Sequence, residues 1–423
     1  MTTATKKKNE ASVSTHTTPP APTTDIAKKI WERVEKDEQK ILAFLKDIVR
    51  IPSMDSQIGD VGKRIEQEMK ALGYDEVTFD KMGNILGRVG NGPVKVLFDS
   101  HIDTVGLGDP KAWEWDPFEG KEEDGIFFAR GTCDEKGSTP GMVYALAILK
   151  DMGLLDGITA YYFGNMEEWC DGIAPHALVE VEGVKPDYVV IGEPTKMQVY
   201  RGHRGRVELT CVTKGKSCHA AMPHLGDNAV TKMSHFVREV DELNPKIRSD
   251  PFLGKGSVVV SGIECHSPSI NAVPDECTIT IDRRVTFGET KESAIAELKA
   301  LPSAKNVDIQ EMVYNDPSYT GFVFEVDKYF PAWCLPEEHA LVQASAKAHE
   351  WLFGKPAGIG RWDFSTNGIY WMGKASIPCI GYAPSDEVFA HTVEDQVPLA
   401  DVVRATAVYA LIPVALRELG AIK

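Results

Sequence analysis

His101 and Asp103 stand two residues apart in the segment Asp-Ser-His-Ile-Asp-Thr-Val, 99–105, at the end of a mostly apolar run over 94–98. Alternate residues of a strand face the same way, so an imidazole and a carboxylate emerge together where the chain leaves the sheet. A metal-bound histidine is held in this manner, because the carboxylate can accept its other ring N–H and fix its tautomer. Taken alone, the segment reads more simply as a histidine and a capping aspartate in an ordinary loop. Further acidic segments downstream reverse that preference.

Asp134 precedes a glycine-containing turn and a helix in Ala-Arg-Gly-Thr-Cys-Asp-Glu-Lys-Gly, 129–137. Alone it would be a helix cap. The segment 164–172 ends an apolar strand in the adjacent Glu167 and Glu168. Adjacent side chains diverge, so one carboxylate can bind a metal while the other approaches a bound water; the plain alternative is two solvated loop glutamates. Glu193 follows a buried strand directly and Pro194 stiffens its turn, while His391 follows another apolar strand near the C-terminus. Together His101, Asp134, Glu168, Glu193 and His391 supply two imidazoles and three carboxylates. That is enough for two divalent metals if Asp134 bridges them. Zinc suits mixed nitrogen and oxygen ligation, with Mn or Co as alternatives.

These residues must be carried to one place by the elements that precede them. Residues 26–50 show helical apolar spacing, and beyond Ile51-Pro52 strands alternate with helices. Strands are expected at 94–98, 158–163 and 188–191, with a helix at 139–152, a βαβ rhythm that implies α/β architecture with a mostly parallel sheet. Ligands of such sheets bind beyond the carboxyl ends of the strands, where each acidic motif falls. Residues 205–316 change rhythm: a strand at 206–213, a helix at 228–243, strands at 256–263 and 277–283, a helix at 291–300 and a strand at 307–313. That β-α-β-β-α-β order is the ferredoxin-like arrangement of a compact α+β domain. The expected organisation is a catalytic domain over 26–204 and 318–423, interrupted by an inserted lid or dimerisation domain over 205–317. Helices at 336–353 and 399–419 and a strand at 377–382 complete the first.

The chain has 423 residues, a formal charge of -16 and 43% hydrophobic residues. This is ordinary globular composition, and the acidity argues against a nucleic-acid partner, which requires a basic face. No apolar stretch is expected to approach the length of a membrane span. Residues 1–25 are polar, rich in Thr and Pro and without an apolar core, so they read as a disordered tail rather than a secretory signal. Eight cysteines without CxxC pairs imply reduced thiols in a cytoplasmic protein. Cys133 and Cys170 adjoin the acidic motifs and raise the alternative of a thiol nucleophile, although most such cysteines fill cores.

The five motifs, in this order over about residues 30–420, resemble those of the M20 metallopeptidases, whose members include acetylornithine deacetylase, succinyl-diaminopimelate desuccinylase, aminoacylase and dipeptidases. The resemblance implies a two-metal hydrolase of amide bonds in N-acyl amino acids or small peptides. It implies His101, Asp134 and Glu193 around one metal and Asp134, Glu168 and His391 around the other. Glu167 then matches the general base and Asp103 the residue that orients the first histidine. The segment His219-Ala-Ala-Met-Pro-His-Leu-Gly-Asp-Asn-Ala229 is similar to the family's lid signature. His219 thereby corresponds to the histidine that in dimeric members reaches the partner subunit's active site, where it would help stabilise an oxyanion. The stretch 271–284 implies Asn271 and Arg284 as substrate-binding residues, with Arg283 expected on the opposite strand face. A homodimer follows from the same resemblance, as does a small-molecule substrate. Arg284, and less specifically Arg201, Arg204 or Arg361, points to a substrate bearing a carboxylate; surface or interdomain salt bridges are an equal reading of the last three. Two departures stand out. Glu135 follows the bridging aspartate where many relatives carry Asp or Met, and the peptide joining the two is expected cis. The stretch Trp362-Asp-Phe-Ser-Thr-Asn-Gly368 resembles a branch described as selenium-metabolism-linked hydrolases. The alternative outside enzymology is a metal-containing binding or regulatory protein of the same fold.

Overall fold

A computed structural model of the chain describes residues 20–54, 56–168 and 170–422. Residues 1–19 of the expected tail lie outside it. Residues 20–24 are held: the Ala21 and Thr23 N–H groups donate to Leu352 O and Trp351 O at 2.9 and 2.8 Å. Thr24 then caps the first helix, Asp25–Val49, its hydroxyl accepting from Ala27 N.

A nine-stranded sheet forms the larger unit. Its centre is parallel: Ile158–Asn165, Val94–His101, Tyr188–Ile191 and Cys379–Gly381 lie side by side. Antiparallel strands extend both edges, Glu76–Phe79 and Ile85–Gly90 on one side and Val199–His203 and Trp333–Cys334 on the other. The sheet is therefore mixed, parallel at its centre, and Ile359–Trp362 adds one more parallel pairing beside Val199–His203. The physical reason is connection length, since parallel neighbours need a crossover such as the Thr139–Asp151 helix whereas the edge strand pair needs only a turn.

Helices Asp25–Val49, Thr139–Asp151 and Ala340–Phe353 surround the closing helix Leu399–Glu418. That last helix corrects one expectation. With a mean hydropathy of 1.7 over its best 18-residue window it is long and apolar enough to cross a membrane, yet 89% of that window is buried inside the protein. Its all-round apolar surface is what a central core helix requires.

The smaller unit is an antiparallel sheet in the order Ser257–His266, Glu276–Val285, Gly205–Lys214 and Val307–Glu311, with Tyr329–Phe330 added beside Gly205–Lys214. Helices Ala229–Leu243 and Lys291–Lys299 cover one face. Strict alternation sends Val207, Leu209, Cys211, Ile279 and Ile281 into a core of their own with Met233, Phe236 and Leu298. Arg206, Glu208, Asp282 and Arg284 accordingly face the other way. The final strand stops at Glu311, and Val313–Tyr314 pairs instead with Val326–Asp327. A second, larger cluster of buried hydrophobics draws on residues 27–200 and 314–422.

Candidate metal centre and active site

His101 is the last residue of a central strand, and its Nδ1 lies 3.0 Å from the carbonyl oxygen of Asp103. The Asp103 carboxylate is slightly farther, 3.4 Å from the same nitrogen. With Nδ1–H donated to the carbonyl, Nε2 is left as the free ligand atom. Asp103 also accepts the Glu167 N–H at 3.0 Å, so one aspartate ties two neighbouring strand ends together.

Asp134 is presented by a loop that Asp395 gathers. The Asp395 carboxylate accepts from Gly131 N and Cys133 N, both at 2.7 Å, and from the Arg130 guanidinium at 3.1 Å. Asp134 Oδ1 then stands 2.8 Å from His101 Nε2, and Oδ2 stands 3.0 Å from His391 Nε2. Glu193 Oε1 is 3.6 Å from His101 Nε2, and Glu168 Oε2 is 3.3 Å from His391 Nε2. Five side chains spread over 291 positions of sequence thus form two groups that share one carboxylate. The Asp134–Glu135 peptide is cis. His391 sits at φ 61° in the left-handed region, a conformation a non-glycine residue holds only where its surroundings impose it. Gly192 permits the close approach behind Glu193, since a Cβ there would lie 2.8 Å from Ser138 Cβ.

The electrostatics are those of a cation site. Burial pushes the carboxyl groups of Glu167 and Glu193 well above the usual range, and with the neighbouring Asp134 it pushes Glu168 up to about 7. Hydrogen bonds to Asp134 and Glu168 raise the His391 imidazole to about 10. Burial opposes a charge on His101, but the carboxylates of Glu135, Asp103 and Asp134 outweigh it and hold that imidazole well above the ordinary histidine range. Glu167 Oε1 and Glu193 Oε2 are buried without a hydrogen-bond partner. Buried acids in such excess need positive charge beside them. Oxygen and nitrogen donors of His101, Asp134 and Glu168 converge within 4.8 Å of one another, as do those of His101, Glu135 and Glu193. The donor set therefore fits divalent metal ions.

Glu135 was legible in the sequence only as a departure. Here its Oε1 accepts the His101 backbone N–H at 2.5 Å while Oε2 stays buried and unpartnered. It fixes the strand end that carries the first histidine.

A cavity of about 390 Å³ opens over these groups, lined by His101, Asp134, Glu167, Glu168, Glu193 and His391 together with Asp171, Arg206, Arg284, Phe364, Ser365 and Glu387. Arg284 reaches it, whereas Arg283 is fully buried on the opposite face with Glu289 and Glu297 at 2.5 and 2.8 Å. Arg201, Arg204 and Arg361 are absent from the lining, and each is taken up by backbone oxygens: Leu335 O, Lys255 O and Trp362 O respectively. His219 and Asn271 lie side by side on the exposed tip of the smaller unit, Ala220 N donating to Asn271 O at 2.8 Å, and neither lines the cavity of its own chain.

The stretch 362–368 is a clasp beneath the site. Trp362 Nε1 donates to Pro194 O at 3.1 Å, and the Ser365 hydroxyl bonds Asp171. Asn367 accepts from Gly172 N at 2.8 Å and donates to Asn165 Oδ1 at 3.0 Å. The loops bearing Glu167, Glu168 and Glu193 are thereby pinned to one segment. Asp171, Arg206, Ser365 and Glu387 escaped sequence reasoning. For Arg206 a signal existed, because the alternation of the 206–213 strand places it on the face away from the apolar core.

The model of "Peptidase family M20/M25/M40" matches residues 97–414. "Uncharacterized protein YgeY" of Escherichia coli (strain K12) is 44% identical over 389 residues, covering 91% of this chain and 96% of that protein. A "Probable succinyl-diaminopimelate desuccinylase" of Staphylococcus epidermidis is 31% identical over 210 residues, covering 48% of this chain and 52% of that protein. Among solved structures, the M20 family metallo-carboxypeptidase Sso-CP2 of Sulfolobus solfataricus superposes with a TM-score of 0.69 at 16% identity, over 88% of this chain and 99% of that one. The Bacillus subtilis YXEP protein, described as a dinuclear metal binding peptidase, gives 0.66 at 12% identity over 91% and 99%. Those two likenesses establish the shared fold. The chain belongs to the M20/M25/M40 family of peptidases.

Proposed function

We propose that this protein is a two-metal amidohydrolase that cleaves N-acyl amino acids or small peptides, with Glu167 as general base. The observation that carries the reading is the buried, unpartnered Oε1 of Glu167 in a cavity shared with two histidines and their common aspartate. His101, Asp134 and Glu193 would hold one ion, and His391, Asp134 and Glu168 the other, zinc being favoured by the mixed donors. Such ions, when bound, polarise a carbonyl as Lewis acids and lower the pKa of water to about 7.

Glu167 takes the proton of the attacking water on a carboxylate oxygen and returns it to the departing amine. Burial holds this carboxyl above its usual range, and its Oε1, without a hydrogen-bond partner, is open to receive the proton. Asp103, through the Glu167 N–H, keeps the base registered to His101. A homodimer accords with the exposed placement of His219 and Asn271, which would complete the partner's site and not their own. The strand Ser257–His266 is an edge of its sheet with exposed Val259 and Ile263, a surface suited to a second copy. The working location is the cytoplasm, on the strength of the unpaired cysteines. Placement with the selenium-metabolism-linked hydrolases rests on the 362–368 stretch.

A thiol mechanism is disfavoured, since burial drives the Cys170 thiol up to about 12 and Cys133 well above the usual range, which leaves no thiolate to attack. Metal-reconstituted protein should hydrolyse members of a panel of N-acyl amino acids and dipeptides and lose that activity to a chelator. Glu167→Gln should keep its metal content and lose turnover by at least about a hundredfold. An active Gln variant refutes the assignment of the base, and a metal-replete protein inert on the whole panel favours the binding-protein alternative.

A further inference from the structure

Glu387 stands four residues before His391 on a single 3-10 turn, Glu387–Phe389, which Asp386 caps by accepting from Val388 N at 3.2 Å. It lines the cavity together with Phe364, Ala390 and His391. Six acids belong to that lining, and five of them are accounted for. Asp134, Glu168 and Glu193 face the histidines as metal ligands, Glu167 is the base, and Asp171 is engaged by Ser365 and Arg206. Glu387 has no such task. The cations near it are taken elsewhere: Lys196 pairs with Asp386 at 2.9 Å, and Arg361 and Arg204 both turn to Asp363. Among the described residues none of these three forms an ion pair with Glu387. A backbone hydrogen bond from Asp363 restrains its carboxylate, while Oε2 is buried without a hydrogen-bond partner. Burial, reinforced by the carboxylates of Asp363 and Asp386, outweighs Lys196 and pushes the Glu387 carboxyl up to about 7, so the surroundings are short of positive charge. A buried carboxylate in that position is costly until a cationic donor completes it. A further metal ion is a poor candidate, because Asp386 and Asp363 are already engaged and leave it a single carboxylate ligand. An ammonium group suits the place, being drawn to a carboxylate and to the face of an aromatic ring such as Phe364.

We infer that Glu387 is a specificity-determining residue that receives an ammonium group of the substrate. The substrate class is then a small amide that carries one free amine besides the bond to be cleaved, in preference to an N-acyl amino acid without any cationic group. This deepens the hydrolase reading and rests on it for the identity of the cleaved bond.

The test uses the full-length, metal-loaded Glu167→Gln protein, in which turnover is stopped, and reads binding by calorimetric titration. The members of each probe pair differ only by an amine: L-alanyl-L-alanine against N-propionyl-L-alanine, and Nα-acetyl-L-lysine against N-acetyl-L-norleucine. In at least one pair the ammonium-bearing member should bind at least about tenfold more tightly. Adding Glu387→Gln should bring the two affinities of that pair together, and Glu387→Asp, which keeps the charge on a shorter arm, should leave a reduced preference. An amine is attracted to the other acids of the cavity as well, so the loss of preference with Glu387, and not the preference itself, carries the assignment. Thermal unfolding and metal content report on the folding of each variant, and the Asp variant carries the comparison if the Gln variant does not fold. Equal binding within both pairs by the parent, no binding of either amine, or a preference that the folded variants leave undiminished overturns the inference. A preference that falls with Glu387 while wild-type protein cleaves no substrate would overturn the hydrolase reading and leave the ammonium site standing.

Discussion

His203 is fully buried, and acidification should act on it more than on any exposed histidine. Its Nδ1 lies 2.8 Å from Arg204 O, while Nε2 accepts from Trp333 Nε1 at 2.7 Å and from Thr366 N at 3.1 Å. Both acceptor contacts require a neutral ring. Burial, with the nearby Arg284 and Arg206 guanidinium groups, pushes its pKa down to about 3. In the unfolded chain the same ring titrates near its ordinary value of about 6.5. The unfolded state therefore binds the proton first as pH falls, so the stability this residue contributes is complete above about pH 6.5 and is lost progressively toward pH 3. At pH 5 the loss comes to about 2 kcal/mol, from about 1.5 pH units at about 1.4 kcal/mol each. His203→Gln keeps an acceptor but cannot titrate. It should cost about 1 to 3 kcal/mol at pH 7.5 through weakened hydrogen bonds. Between pH 7.5 and 5 the wild-type protein should then lose about 2 kcal/mol more than the variant, read from urea unfolding of both proteins at each pH. Parallel losses in the two proteins would falsify the neutral, buried histidine and the acceptor role that holds Thr366 next to the cavity.

Asp134→Asn should abolish the shared ligand, because each carboxylate oxygen faces a different histidine and an amide offers a single oxygen. Metal analysis should show fewer than two ions per chain, and two retained ions would rule out the bridge. If His219 acts across a dimer interface, mixing the inactive His219→Ala and Glu167→Gln proteins under exchange conditions should restore up to about a quarter of wild-type turnover. No recovery would confine His219 to its own chain or to no catalytic role.

Much of the site was readable because strand ends carry their own grammar. His101, Glu167, Glu168 and Glu193 each follow a short apolar run, and period-two alternation in the smaller unit separates Arg284 from Arg283. The ferredoxin-like order came out correctly for the same reason, since helix and strand periodicities differ locally. The mixed character of the large sheet was hidden, because direction of pairing depends on which strands meet and not on any one strand's pattern. The closing helix was misjudged for a related reason: apolar residues all round a helix look the same whether the surroundings are three other helices or lipid.

By itself the amino-acid order determined the kind of chemistry, through histidines and carboxylates set at strand ends, and the division into an α/β portion and an α+β insertion. Only the tertiary structure decided which oxygens of Asp134 face which histidine, that Asp395 and Asn367 hold the loops in place, and that Arg206 is set on the cavity wall between Asp171 and Glu208. Those facts depend on contacts between residues distant in the chain, where burial removes water as a competing partner and makes every uncompensated charge decisive.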